Sequence, residues 1–469
     1  MARGYYIPAA GAIRLGVDEY VMKRQSLILL ACLALGCGPV EADRLLFISL
    51  DTVRRDHLPT YGYPRSTAPA IDALAQGGIV FENAFSQQTN TNPSHASMFT
   101  GLYPHTHGCQ FNGQVLASDR VTLAQILAGS GFRRAAFVSG VTMRAAASGL
   151  ERGFELYDDA FDGKRRDGQV AASRAVSWIR ARGSEESYFV FVHFYDAHGP
   201  YLPRGRYRRL FHSDDPGPVL PRIPRYQRVP TAEGKSASRL HPYVDRYDAL
   251  IRYQDDLVDS LLREIDLDRT IVVILSDHGE TLGERYQALD HGGQVFDEQI
   301  RIPLIVHAPG VPPGRIPDFV ETVDLLPTLL ELLKVELPNG IELQGRSVVP
   351  TMRREEADAR TVVFSSARAV SARHADRGYQ LRPRGQIHSV RGARWKLIRY
   401  SGQERDYVEL YDLIEDPAEL RDRANLEPAI RDAHLRILAG WLAAGVEGSG
   451  DWHVDPELLE QLRALGYAD

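Results

Sequence analysis

Three apolar runs in this chain end on an acidic residue. Leu45–Leu50 leads into Asp51, Phe189–Tyr195 into Asp196, and Ile271–Ser276 into Asp277, which His278 follows directly. Side chains at three parallel strand ends converge on one rim of a sheet, where ligands of open α/β folds sit. The three aspartates would therefore gather in one place, and two adjacent polar residues at a strand end both reach a loop cleft. A fourth candidate is Thr91, in the segment TNPSHASMFTG. Pro93 suits the first helical position, which sets Thr91 against a helix amino terminus, where free N–H groups and the dipole favour an anion. The plainer uses remain open: an isolated Asp51 caps a turn, and Thr91 and Ser94 cap a helix, with Ser94 the alternative nucleophile.

The elements that must position these residues follow from the pattern. Each run is β-branched or aromatic and lacks polar alternation, as central parallel strands covered on both faces do. Helical periodicity at Thr67–Gln76, Val121–Leu127, Gln169–Ala181 and Tyr247–Ile265 separates them. The alternation predicts a doubly wound, mostly parallel α/β sheet. Pro203–Arg239 has no period and reads as a long loop on the Asp196 side. After Pro350 the texture changes to short strands at Thr361–Ser365, Gln386–Val390 and Trp395–Tyr400, a helix at Ala429–Ala444 and another at Pro456–Leu465. The expected organisation is an amino-terminal extension with export signal over 1–42, a catalytic α/β domain over 43–350, and a smaller α+β domain over 351–469.

From Met22, MKRQSLILLACLALGCGPVEA has two basic residues, a short apolar run and small residues before a cysteine. That is an export signal of the bacterial lipoprotein kind, with Cys37 as the lipidated residue and a periplasmic or cell-surface destination. An ordinary buried helix over 25–36 is the alternative. Membrane contact is expected only through that anchor, because no run reaches the ~18 apolar residues of a spanning helix. Cys32, Cys37 and Cys109 allow neither a disulfide framework nor a thiolate zinc site. A net charge of -6 and a pI near 6.2 argue against a nucleic-acid partner.

Taken in order, LLFISLDTVRRDHLPTYGY, TNPSHASMFTGLYPHTHG, FVHFYDAHGPY, VVILSDHGE and HGGQVFDEQIRIPLIVHAPG resemble the sulfatase family of the alkaline phosphatase superfamily. WKLIRY and ELYDLIEDPAEL resemble that family's small second domain. The resemblance implies a metal-dependent hydrolase of sulfuric or phosphoric esters with Asp51, Asp277, His278 and the Thr91 hydroxyl around the metal. It places Thr91 at the nucleophile position and His198 and His291 as acid or ester-binding groups. Asp196, His95 and His107 then stand on the substrate side. The departures matter. Thr52 replaces a second aspartate, which weakens a calcium site and, with His278, shifts the expected ion among calcium, zinc and manganese towards the latter two. Only Ala197 separates Asp196 from His198, a spacing that favours one ion over two. Threonine cannot become formylglycine by the family's route, His95 stands for an arginine and His291 for a lysine. Lys23, Lys164, Lys235, Lys334 and Lys396 all fall outside the catalytic motifs. Phosphate mono- or diesters are therefore expected over sulfate esters, on a small-molecule or glycan alcohol. The alternative is a non-catalytic homologue that binds anionic glycans.

Overall fold

The computed structural model describes residues 42–220, 223–224, 227, 238–285, 288–355, 359–369, 385–402 and 406–447. The export segment with Cys37 and the helix expected at Pro456–Leu465 lie outside the described residues. Among those described, no helix is long and apolar enough to cross a membrane.

The strands run as β1 (Arg44–Leu50), β2 (Ile79–Phe85), β3 (Arg133–Val138), β4 (Leu156–Asp158), β5 (Tyr188–Phe194) and β6 (Thr270–Leu275). A small antiparallel pair follows, β7 (Thr281–Leu282) with β8 (Ala288–Asp290), and then β9 (Arg301–Ile302), β10 (Leu304–His307) and β11 (Gly314–Glu321). The main sheet has the order β11-β2-β10-β6-β1-β5-β3-β4, with β9 against β2. β1 pairs in parallel with both β5 and β6. β10 is antiparallel to β6 and to β2, so β2 points the same way as β6. The sheet is mostly parallel, as the alternation of apolar runs and helices requires.

Successive residues of β1 fall into two different cores, Leu45 and Phe47 in one and Leu46, Ile48 and Leu50 in the other. Both faces are thus covered, which is why these strands read as continuous apolar runs. One face packs helices α2 (Thr91–Thr100), α3 (Leu123–Gly129) and α6 (Leu325–Leu332); the other packs α1 (Pro69–Gln76), α4 (Gly168–Arg180) and α5 (His241–Leu262). Of the stretch 203–239, Gly205–Arg209 forms a 3-10 turn held to α5, where the Tyr207 hydroxyl donates to Asp256 at 2.6 Å.

The carboxyl-terminal part is a four-stranded antiparallel sheet, β12 (Val363–Ala369), β13 (Gly385–Arg391), β14 (Trp395–Gly402) and β15 (Tyr407–Asp412). Helix α7 (Pro428–Glu447) covers one face through Ile430, Ile437 and Trp441. The other face, with Val363, Ile387 and Tyr400, packs on Phe85, Phe296 and Ile300 of the main body.

Candidate active site

β1, β5 and β6 deliver their ends side by side. Ser49 is in register with His193 and with Leu275, and the Asp51 N–H donates to the Phe194 carbonyl at 2.9 Å. Asp51, Asp277 and His278 thus meet: their donor atoms lie within 4.8 Å of one another and all three residues are fully buried. The turn after Asp51 is held in an unusual shape. Thr52 has φ of 61°, a left-handed conformation costly for a β-branched residue and common where function dictates the backbone. Its N–H donates to Asp277 Oδ1 at 3.2 Å, and its carbonyl accepts from the Tyr247 hydroxyl at 2.6 Å.

Three atoms of this group have no hydrogen-bond partner: Asp51 Oδ1, Asp277 Oδ2 and His278 Nε2. Orphaned buried carboxylate oxygens are expensive unless something positive meets them. Burial, and then the Asp277 charge, push the Asp51 carboxyl well above its usual range. Burial opposes ionisation of Asp277 too, but the imidazoles of His278, His95 and His193 hold it below its ordinary value. Two carboxylates and an imidazole with free lone pairs facing one another fit a divalent cation.

Thr91 is the first residue of α2, which begins two residues earlier than Pro93 alone suggests; Asn90 precedes it in extended conformation. The Thr91 hydroxyl donates to Asp51 Oδ2 at 3.3 Å, which brings it to the same cluster. Ser94 faces elsewhere: its hydroxyl donates to the Asp277 carbonyl at 2.7 Å, behind the rim.

His278, His291 and His198 form a row, with ring centroids 4.6 Å and 4.9 Å apart. His198 also stacks on Tyr195 at 4.2 Å. His291 Nδ1 pairs with Glu280 Oε1 at 3.2 Å, and Glu280 Oε2 accepts from the Tyr201 hydroxyl at 3.0 Å. Burial disfavours the His291 charge, but Glu280 outweighs it and raises the imidazole to about 9. Burial, and the neighbouring His291, push His198 well below its usual value.

The remaining sequence candidates are placed differently. Asp196 turns away from the rim. Its Oδ1 accepts from the Gly168 N–H at 3.1 Å, at the start of α4 rather than towards the cluster, and burial raises its carboxyl to about 7. His107 does not reach the rim either: Nε2 meets Ser97 Oγ at 3.0 Å and Nδ1 accepts from the Cys109 N–H at 3.1 Å. His95 lies beneath Thr91 with no exposure, between Ser49 Oγ (2.8 Å to Nε2) and the Thr91 carbonyl (2.8 Å to Nδ1). Substrate contact is closed to it in this position.

Sequence reasoning passed over His193 and Glu280. His193 Nε2 lies 3.2 Å from Asp51 Oδ2. Its signal was a single imidazole inside the otherwise apolar run YFVFVHF. Glu280 stands two residues after His278 in the DHGE motif, where a fully buried carboxylate needs a cationic partner.

Comparison with known proteins gives the family. The sulfatase family model matches residues 44–335, and the model of the N-sulphoglucosamine sulphohydrolase carboxyl-terminal region matches 290–432. A delta 4,5-hexuronate-2-O-sulfatase of Bacteroides thetaiotaomicron is 25% identical over 429 residues, covering 82% of this chain and 85% of its own. An ulvan-active sulfatase of Formosa agariphila is 26% identical over 359 residues, 69% of this chain and 68% of its own. The crystal structure of the phosphonate monoester hydrolase of Agrobacterium radiobacter superposes with a TM-score of 0.71 at 21% identity, over 86% of this chain and 96% of that one. The chain belongs to the sulfatase family, and with it to the ester hydrolases.

Proposed function

We propose that this protein hydrolyses phosphate or phosphonate esters in preference to sulfate esters, with Thr91 as nucleophile. The observation that carries the reading is the Thr91 hydroxyl at the amino terminus of α2, hydrogen-bonded to Asp51 within a buried cluster whose lone pairs face inward. Asp51, Asp277 and His278 would hold a divalent cation, with zinc or manganese favoured over calcium because Thr52 supplies no carboxylate and His278 supplies nitrogen. When bound, such an ion offsets charge on the ester oxygens and lowers the pKa of the attacking hydroxyl.

The chain's own residues complete the reaction. Thr91 Oγ gives its proton to Asp51 Oδ2, to which it is hydrogen-bonded, and attacks the phosphorus in line from the amino terminus of α2, whose dipole favours the anion. The leaving alcohol takes the proton of His291, which Glu280 keeps charged. Water then displaces Thr91 from the phosphoryl group: one of its protons returns to His291, the other stays on the released phosphate, and Asp51 gives its proton back to Thr91. His198 is neutral and serves as a hydrogen-bonding wall beside the ester rather than as the acid. Asp196, His95 and His107 have no contact with substrate in this scheme.

The preference for phosphorus rests on Thr91, which cannot be oxidised to formylglycine by the family's route, and on His291 where a sulfate-clamping lysine is usual. The substrates named for the relatives, ulvan and a hexuronate, make a carbohydrate the alcohol to test first. The test is a panel of chromogenic phosphate, phosphonate and sulfate esters, run on protein reconstituted with zinc, manganese or calcium. Faster turnover of the phosphorus esters, falling by about 10³-fold or more in Thr91→Ala, is expected. Equal rates across the panel would remove the preference, and activity that survives Thr91→Ala would remove the nucleophile. Export and lipid attachment at Cys37 belong to the same proposal, supported by the residues from Met22 to Cys37. Cys37→Ala should move the protein from the membrane fraction to the soluble one.

A further inference from the structure

Behind the rim, on the α2 face of the sheet, lies a second group of donors. His95, His193 and Asp277 offer donor atoms within 4.8 Å of one another, and none of the three is exposed. His193 stands next to the last residue of β5, in register with Ser49 of β1, and His95 comes down from α2 one turn after Thr91. The rings of His95 and His193 meet edge to face at 5.2 Å. Two details set this apart from an ordinary polar core. Asp277 Oδ2 has no hydrogen-bond partner, yet it lies between the two groups, 3.4 Å from His278 Nε2 and 3.9 Å from His95 Nδ1. His193 Nδ1 is likewise buried without a partner. Leaving such atoms unmet in a dry interior is costly.

We propose that His95, His193 and Asp277 hold a second divalent cation, closed to substrate, with Asp277 as the carboxylate shared between the two ions. The surroundings suit ligation. With Nδ1 turned to an ion, His95 donates its Nε2–H to Ser49 Oγ at 2.8 Å, the kind of outer contact that fixes a ligating ring. The Thr91 carbonyl, 2.8 Å from the same Nδ1, adds an oxygen. Two imidazoles select zinc or manganese over calcium. An ion here would grip the carbonyl of the residue whose hydroxyl attacks, and so hold the start of α2 in place. The inference rests on the reading above only in that Asp277 serves both ions.

The test counts ions in the full-length protein after dialysis against zinc or manganese, by mass spectrometry of the metal. The expected result is about two ions per chain in the wild type and about one in His193→Ala. Asp51→Asn removes a carboxylate from the outer group while its amide oxygen can still meet His193 Nε2, and should keep the inner ion. One ion in the wild type, unchanged in His193→Ala, overturns the inner site and leaves the outer one standing. No ion at all overturns both. Should His193→Ala fail to fold, anomalous scattering at the zinc edge from wild-type crystals decides: a peak between His95 and His193 supports the site, and its absence with a peak at Asp51 refutes it.

Discussion

At neutral pH the structure gives His291 a proton and withholds one from His198. Burial acts against the charge on both rings, and Glu280 reverses it only for His291. A histidine raised in this way acts as an acid until the pH climbs through its own value, so turnover that uses its proton falls on the alkaline side, with a midpoint at or below about 9. A cation beside His278 repels that proton and moves the midpoint down. Glu280→Gln should bring the limb to lower pH still, and a pH profile of kcat/KM for both proteins checks it. Asp196 carries the opposite expectation. Its raised carboxyl, at about 7, means the folded state prefers it neutral; its contribution to stability is complete below the ordinary carboxylate value and is lost as pH rises to 7. Asp196→Asn keeps the acceptor for Gly168 and removes the charge. It should raise the Tm by roughly a few degrees at pH 8 and little at pH 4, with kcat/KM unchanged; a large loss of turnover would return Asp196 to the substrate side. Asp51 and Asp196 look alike in the sequence, each closing an apolar run. Only the neighbours the fold supplies, Thr91 and Asp277 for one and the amino terminus of α4 for the other, separate them.

Helix α2 is where the element scale meets the chemistry. All ten of its residues are buried, so it shows almost no amphipathic stripe, and the sequence marked its start through Pro93 rather than through periodicity. Ser97 on that helix, His107 and the Cys109 N–H form a relay that pins the following loop against it. His107→Ala leaves the serine hydroxyl and the amide unmet and should cost about 1–3 kcal/mol in urea unfolding. KM for the ester should stay put, whereas a rise in KM alone would mean that His107 touches substrate. The helices over 169–181 and 247–265 and the three apolar strands were legible because burial on one stripe or on both faces leaves a period in the residues. β2 was not: IVFENAF breaks its apolar run with half-exposed Glu82 and Asn83. β10, four residues long and antiparallel to both neighbours, carries no signal of its direction at all. Direction is decided by which edges are free when the chain returns, a property of the whole sheet.

At the scale of the molecule, the small sheet is bound to the main body by charge as well as by apolar packing. Lys396 of β14 is fully buried between Asp297, at 2.9 Å, and Glu419, at 2.8 Å; Arg391 of β13 reaches Asp297 at 3.1 Å. Asp297 opens the short helix that carries Gln299, whose amide donates to Thr281 at 2.7 Å and so holds the β7–β8 pair that leads into His291. The sequence announced the small sheet through WKLIRY, but not that Lys396 within it braces, from behind, the segment that leads into His291. Removing a single partner strands buried carboxylates, which costs more than the pair contributes. Lys396→Met should therefore destabilise the protein by about 3–5 kcal/mol in urea unfolding, and loosen the His291 segment enough to lower kcat/KM. Burial opposes the charge on Asp297, yet Arg391 and Lys396 hold its carboxyl far below the ordinary range. Stability from such a group is present above the unfolded carboxylate value of about 4 and is lost as pH falls towards the folded one. The gap between wild type and Lys396→Met should then be widest near neutrality and close in acid. A gap that persists unchanged down to pH 3 would mean that the lysine's methylenes, and not its charge, hold the two sheets together.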